Sequence, residues 1–69
     1  MINWRHFGRD IKHERDRRGI GHRKAAGEIG TSHATVCRAE NAKAVNTETF
    51  MSGCDWMRKD PLKYYSKED

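Results

Sequence analysis

The chain has 69 residues, of which 35% are hydrophobic and 35% are charged, and its formal net charge is +4. A chain of this length has room for one small domain with a modest core, which argues against an enzyme with a deep pocket. No apolar run approaches the roughly 18 residues of a membrane-spanning helix, and the early charges at the N-terminus argue against a signal peptide.

The positive charge is concentrated in the first third of the chain. Residues 1–24 carry eight Lys or Arg residues against three Asp or Glu residues, whereas residues 46–69 have a net charge of −1. A basic segment of this kind suits a polyanionic partner such as nucleic acid. A solvated helix surface with internal salt bridges would have the same composition, so charge alone does not decide between the two.

The first predicted helix covers residues 3–18. Its apolar residues recur at the spacing of one helical face and are Trp4, Phe7 and Ile11. Asn3 is the expected N-cap, and Gly19 stands where a left-handed residue commonly ends a helix. Gly8, in the middle, is expected to weaken the helix by up to ~1 kcal/mol relative to alanine.

Two short helices follow, over residues 22–29 and 33–40. They are separated by Gly30-Thr31-Ser32, and Ser32 is a good N-cap for the second of them. The residues expected on the inner faces of the two helices are Ala25, Ala26, Ile29, Val36 and Ala39. This arrangement predicts two helices that pack against each other across a tight, glycine-containing turn.

The last part of the chain predicts two more helical elements. A fourth helix begins after a cap at either Asn46 or Thr47 and carries apolar residues through Met57. A final turn or short helix follows Asp60-Pro61, because proline is well placed at the first helical position. We expect the last three or four residues to fray. The prediction is therefore a single all-α domain of five helices over residues 1–69.

Residues 20–43 carry the most informative pattern. Small side chains such as Ala26 and Val36 allow two short helices to cross steeply, as in a helix-turn-helix unit. The segment resembles the Cro/CI-like (XRE) family of phage-type repressors, and the resemblance extends over about residues 5–65. The positions that match the family pattern in register are Ala26, Ile29, Gly30, Ser32, Thr35, Val36, Arg38, Glu40 and Asn41. The chain departs from that pattern at His22, where the family usually has a glutamine that contacts phosphate.

The resemblance implies a helix-turn-helix over about residues 22–40 that binds double-stranded DNA, with 33–40 as the recognition helix. The residues expected to contact bases are His33, Ala34, Cys37 and Arg38. Arg38 can donate two hydrogen bonds to guanine O6 and N7, and Ala34 suits a thymine methyl group. The residues expected to contact phosphate are His22, Arg23, Ser32, Thr35, Asn41 and Lys43, since helix starts and basic side chains favour anions.

The resemblance also implies a structural ion pair and a dimer. Arg15 and Glu40 occupy positions that many family members bridge with a partly buried ion pair. A C-terminal segment over about residues 47–66 is expected to form a homodimer on a pseudo-palindromic operator. The candidate dimer contacts are Trp56, Leu62, Tyr64 and Tyr65. We expect a transcriptional repressor in the cytoplasm of a bacterial cell or phage-infected host, associated with the nucleoid.

Other interpretations remain open at this point. Arg38 could pair with a surface carboxylate, and His22 could be idle. The fold could serve an antitoxin-like autoregulator with a toxin partner, or an inhibitor that contacts only protein. An enzyme is not expected, because paired carboxylates, a nucleophile–base set and a glycine-rich phosphate loop are all missing.

We expect no cofactor, metal or small-molecule ligand. His33 and Cys37 stand four residues apart, but two ligands without a third are weak evidence for a metal site. Cys37 and Cys54 are too few for a disulfide scaffold, so we expect two free thiols.

Overall fold

The computed structural model describes residues 1–65. It contains four α-helices, α1 (Trp4–Arg18), α2 (His22–Ile29), α3 (His33–Glu40) and α4 (Thr47–Met57), followed by a 3₁₀-helix (Pro61–Tyr64). Within these residues there is no strand, only an isolated antiparallel bridge between Ile2 and Tyr65. The all-α prediction is confirmed, and the fifth element is a four-residue 3₁₀-helix. The predicted fraying, and the end of the predicted dimerisation segment at residue 66, lie outside the described residues.

Side-chain caps fix the starts of most helices. The side chain of Asn3 accepts a hydrogen bond from the backbone N–H of His6, and Ser32 accepts one from Thr35. Asn46 Oδ1 accepts a 2.7 Å hydrogen bond from the N–H of Thr49, so Asn46 and not Thr47 caps α4. These bonds satisfy N–H groups that have no partner inside the helix. The predicted caps at Asn3 and Ser32 are confirmed.

The core is built around an aromatic cluster. Phe7 of α1 lies at its centre, with ring centroids 5.8 Å from Trp4, 5.0 Å from Phe50 and 5.4 Å from Tyr64. The pairs with Trp4 and Tyr64 are edge-to-face and the pair with Phe50 is tilted, and aromatic pairs at these distances stabilise a core beyond the area that they bury. Cys54 packs into the same core and burial raises the pKa of its thiol to about 11. Cys54 is not bonded to Cys37.

Gly8 marks the point where α1 crosses α3. A Cβ atom at Gly8 would lie 1.9 Å from the backbone oxygen of Ala39 and 2.9 Å from its carbonyl carbon. The absence of a side chain therefore allows the two helices to approach closely. The sequence indicated only a weakened helix at Gly8, and the structure adds a second role: the glycine is required for the packing of α1 on α3.

Two of the four candidate dimer residues belong to the core, which corrects the prediction for them. Tyr64 is 0% exposed, and its hydroxyl donates a 2.9 Å hydrogen bond to Asp10 Oδ2. Trp56 is 9% exposed, and its indole Nε1 donates a 2.9 Å hydrogen bond to Glu28. Both are amphipathic aromatic side chains that bury the ring and satisfy the polar atom internally. Leu62 and Tyr65 are exposed, at 74% and 52%.

The helices are short and amphipathic. The longest, α1, has 15 residues, and within residues 1–65 no helix combines the length and the apolar character that crossing a membrane requires.

Candidate nucleic-acid interface

The α2–α3 unit presents one side of α3 to solvent. Between the helices, Gly30 adopts a positive φ of 93° that a residue with a side chain rarely takes. Val36 and Ala39 lie on the inward side of α3 and are almost fully buried. Because successive residues are 100° apart on a helix, Ala34 and Arg38 lie on the opposite side, and both are exposed.

The four predicted base-contacting residues do not all have the same environment. His33 and Ala34, in the first turn of α3, are exposed, and Cys37 is half-buried. Arg38 is exposed, and its Nη2 donates a 3.0 Å hydrogen bond to the backbone oxygen of Ala44. Arg38 forms no ion pair with a carboxylate within residues 1–65. The structure therefore does not show the surface ion pair that was the alternative to a DNA contact. The hydrogen bond to Ala44 directs the guanidinium toward the loop that follows α3.

Five of the six predicted phosphate-contacting residues divide into two groups, and the sixth, His22, contacts Glu40. The side chains of Arg23 and Lys43 are exposed and form no ion pair or hydrogen bond inside the described part of the chain. Ser32, Thr35 and Asn41 make local hydrogen bonds that hold α3 at its two ends: Ser32 Oγ lies 2.9 Å from Thr35 Oγ1, and Asn41 Nδ2 donates to the oxygen of Cys37 at 2.9 Å. These three side chains therefore take part in local hydrogen bonds at the ends of α3.

Glu40 forms the ion pair that the resemblance implied and a further contact that it did not. Arg15 donates to its two carboxylate oxygens, from Nε at 2.8 Å and from Nη2 at 3.0 Å. The two side chains are 13% and 9% exposed. His22 Nε2 lies 3.2 Å from Glu40 Oε1. Burial raises the pKa of Glu40, but the hydrogen bonds from Arg15 and His22 outweigh it and hold the pKa below its usual range.

A second set of charges joins α1, α2 and α4. Arg18 donates to Glu28 Oε1 at 2.9 Å and lies 4.5 Å above the centroid of the Trp56 ring. The hydrogen bond from Trp56 is the main cause that holds the pKa of Glu28 below its usual range. Glu14 accepts from both Arg17 and Arg18, which lowers its pKa from 4.5 to about 2. The contacts of Glu28 with Arg18 and Trp56 were not predicted, because they join residues far apart in the chain.

The stability of the domain is expected to fall below about pH 4.5, partly because of Glu14. Its lowered pKa means that the folded chain binds fewer protons than the unfolded chain, so the stabilisation is complete above pH 4.5 and is lost as the pH falls toward about 2. Urea denaturation at a series of pH values measures this dependence. Glu14→Gln should reduce the change in the free energy of unfolding between pH 4.5 and about pH 2.

The matched control for this experiment is Glu48→Gln. Glu48 is an exposed carboxylate in the first turn of α4, and it has no ion pair within residues 1–65. We expect Glu48→Gln to keep the wild-type slope. If Glu14→Gln also kept that slope, the Glu14 ion pairs would not contribute to acid stability.

The basic side chains of the described residues fall into an ion-paired set and an unpaired set. The ion-paired set lies mainly on α1 and consists of Lys12, Arg15, Arg17, Arg18, Lys24 and Lys63. The side chains that form no ion pair within residues 1–65 are Arg5, Arg9, Arg23, Arg38, Lys43, Arg58 and Lys59. Three of these, Arg23, Arg38 and Lys43, belong to α2, α3 and the loop after α3. The surface around α3 therefore carries positive charge that internal carboxylates do not neutralise.

No cluster of three or more His, Cys, Asp or Glu side chains in residues 1–65 could hold a metal ion. Comparisons with protein-family models, curated proteins and solved structures give no match to this chain. The resemblance to the Cro/CI-like family therefore rests on the sequence pattern alone.

Proposed function

We propose that the chain is a sequence-specific double-stranded DNA-binding regulator of transcription, with α2 and α3 as a helix-turn-helix and α3 as the recognition helix. The observation that supports this most directly is the unpaired positive charge around the exposed side of α3. Arg23 at the start of α2, His33 and Arg38 on α3, and Lys43 after α3 have no carboxylate partner in residues 1–65. Of these, Arg23, Arg38 and Lys43 are positively charged, and basic side chains without a carboxylate partner suit a polyanion-binding surface.

The outward side of α3 has the size and chemistry of a major-groove reader. Eight residues of helix are about 12 Å long, and the major groove of B-DNA, about 12 Å wide, admits an α-helix. Ala34 is small enough to let the helix approach the base edges closely. The N–H groups of Arg38 that Ala44 does not use can reach guanine, and His33 can donate to guanine or phosphate.

We propose that two copies bind a pseudo-palindromic operator and repress transcription by occupying it. The exposed large hydrophobic residues of the described chain are Met1, Met51, Leu62 and Tyr65. A dimer interface formed by Leu62 and Tyr65 would lie near the 3₁₀-helix, as predicted. It would not include the buried Trp56 and Tyr64. The two recognition helices would then lie about 34 Å apart, one turn of DNA.

Selection of bound sites from random duplex DNA tests the proposal and gives the half-site sequence and spacing together. On the selected duplex, Arg38→Ala is expected to reduce the preference over mixed-sequence DNA by ~1–3 kcal/mol, because it removes a base contact. Fluorescence anisotropy measures both affinities. Arg17→Ala is the matched control, since it removes the same charge from an ion-paired arginine on α1 and should leave the preference unchanged.

The salt dependence of binding separates DNA recognition from a role in protein contact alone. DNA binding requires the logarithm of the affinity to fall linearly with the logarithm of salt concentration. An inhibitor that contacts only protein would show no salt-sensitive DNA affinity, and this result would overturn the proposal. An antitoxin-like regulator would bind DNA and would also co-purify with a small partner protein.

A further inference from the structure

Two exposed arginines of α1 are left over by the ion pairs of the basic N-terminal segment. Residues 1–24 carry eight Lys or Arg side chains, and five of these form ion pairs: Lys12, Arg15, Arg17, Arg18 and Lys24. Of the other three, Arg23 belongs to α2, whereas Arg5 and Arg9 lie one turn apart on α1 and are exposed. Their side chains form no ion pair or hydrogen bond within residues 1–65.

The close approach at Gly8 places α1 against the end of α3. A Cβ atom at Gly8 would lie 1.9 Å from the backbone oxygen of Ala39 and 3.2 Å from the Cα atom of Glu40, the last residue of α3. The backbone of α1 therefore touches the last turn of α3 directly. Any side chain that neighbours Gly8 on the surface of α1 lies beside this end of α3.

The two arginines and the core lie on opposite sides of that contact. Because successive residues are 100° apart on a helix, Arg5 and Arg9 lie on one side of Gly8, and Phe7 and Ile11 lie on the other. Phe7 and Ile11 are almost fully buried and line the same small apolar cavity as the inward residues of α3. The side of α1 that carries the two arginines therefore belongs to the same surface of the domain as the outward side of α3.

The loop after α3 connects this part of α1 with the surface around α3. The chain turns at Ala42, which has a positive φ of 63°, and the N–H of Lys43 then donates a 3.0 Å hydrogen bond to the backbone oxygen of Arg38. This bond holds Lys43 at the end of α3, where α1 crosses. The carboxylate that continues the arginine side of α1, Asp16, is ion-paired with Lys12 at 3.2 Å. The unpaired charges of this surface are therefore positive.

We propose that Arg5 and Arg9 extend the DNA-binding surface onto α1 and contact backbone phosphates beside the base pairs that α3 reads. The inference rests on the proposed function and adds a third helix to its contact surface. Duplex DNA is favoured over an acidic protein, because the two arginines share one surface with the proposed recognition helix. They are about 6 Å apart along the helix axis, so each can bind a separate phosphate. Phosphate contacts carry no direct base information, so these two raise the affinity for every duplex alike.

The salt dependence of binding measures this contribution. Each phosphate contact adds about 0.9 to the slope of the logarithm of the affinity against the logarithm of salt concentration. For a mixed-sequence duplex about two helical turns long, we expect Arg9→Ala to lower the slope by about 0.9 and the double change Arg5→Ala with Arg9→Ala by about 1.8. The preference for the selected duplex over mixed-sequence DNA should stay at the wild-type value, in contrast to Arg38→Ala.

Lys59→Ala is the matched control, since it also removes one exposed charge that forms no ion pair within residues 1–65. Lys59 lines a surface cleft with Asp10 and Arg17, on the side of α1 that faces away from Gly8. We expect Lys59→Ala to keep the wild-type slope, and Arg9→Lys, which keeps the charge, to do the same. Urea denaturation checks that every variant is folded. Equal losses of slope in Arg9→Ala and Lys59→Ala would overturn the inference, because the effect would then depend on net charge and not on position.

The same titrations separate this inference from the function on which it rests. A double variant that keeps the wild-type slope, measured where the wild-type chain binds DNA in a salt-sensitive way, would overturn the role of α1 and leave DNA binding by α2 and α3 standing. A wild-type chain without salt-sensitive binding would overturn the proposed function, and this inference with it.

Discussion

Gly8→Ala is expected to destabilise the domain by ~2 kcal/mol or more, although the same change stabilises most helices. The added Cβ would lie 1.9 Å from the backbone oxygen of Ala39. A backbone atom cannot rotate away as a side chain can, so α1 and α3 must separate and lose packing around Phe7 and Val36. Overpacking of this kind costs about 1–3 kcal/mol and sometimes more. Helix propensity offsets only up to ~1 kcal/mol of it.

Gly27→Ala is the matched control for this prediction. Gly27 also lies inside a helix, α2, but a Cβ atom there would meet nothing within 4 Å. We therefore expect Gly27→Ala to stabilise the domain by up to ~1 kcal/mol, through helix propensity and the loss of backbone freedom in the unfolded chain. Urea denaturation gives the free energy of unfolding of both variants. Changes of the same sign in the two variants would contradict the close crossing of α1 and α3.

Glu40→Ala is expected to lower the free energy of unfolding by about 3 kcal/mol. The change leaves the guanidinium of Arg15 largely buried without its two carboxylate hydrogen bonds, and an unpaired buried charge is costly. Arg15 keeps only its 3.2 Å hydrogen bond to the oxygen of Ile20 and a weak ion pair with Asp16 at 3.8 Å. Thermal and urea denaturation of the variant measure the loss.

Two further variants show whether the loss of stability comes from leaving the buried charge of Arg15 without a partner. Lys12→Ala breaks an ion pair with Asp16 in which both side chains are about half exposed, and it should cost ~0.5 kcal/mol or less. The double change Arg15→Met with Glu40→Leu removes both charges at once and should cost less than Glu40→Ala alone. A double variant that is less stable than Glu40→Ala would mean that the ion pair itself stabilises the fold.

The sequence was sufficient to predict the helices of the α2–α3 unit. Their bounds, 22–29 and 33–40, are the same in the structure, because local signals define them: Ser32 as a cap and a glycine at the turn. The exposure of His33 and Arg38 was also predictable, since helical periodicity puts Val36 and Ala39 on the inner side. Local rules work where the residues that decide a structure are close in the chain.

The sequence was insufficient where residues far apart in the chain decide the structure. The role of Gly8 depends on Ala39, and the hydroxyl of the buried Tyr64 has its hydrogen-bond partner at Asp10. Helix propensity and surface composition contain no information about such partners. The same limit applies to the contact between His22 and Glu40, which requires the angle between α2 and α3 as well as their existence.

The pairing between the first and last described residues has a consequence for how the domain folds. The N–H of Asn3 donates a 2.7 Å hydrogen bond to the oxygen of Tyr64, next to the bridge between Ile2 and Tyr65. The four α-helices can each form from neighbouring residues, but this closure joins positions separated by almost the whole described chain. Its entropic cost can be met only once the intervening helices have shortened the path. We therefore expect the seam between the two ends to form late in folding.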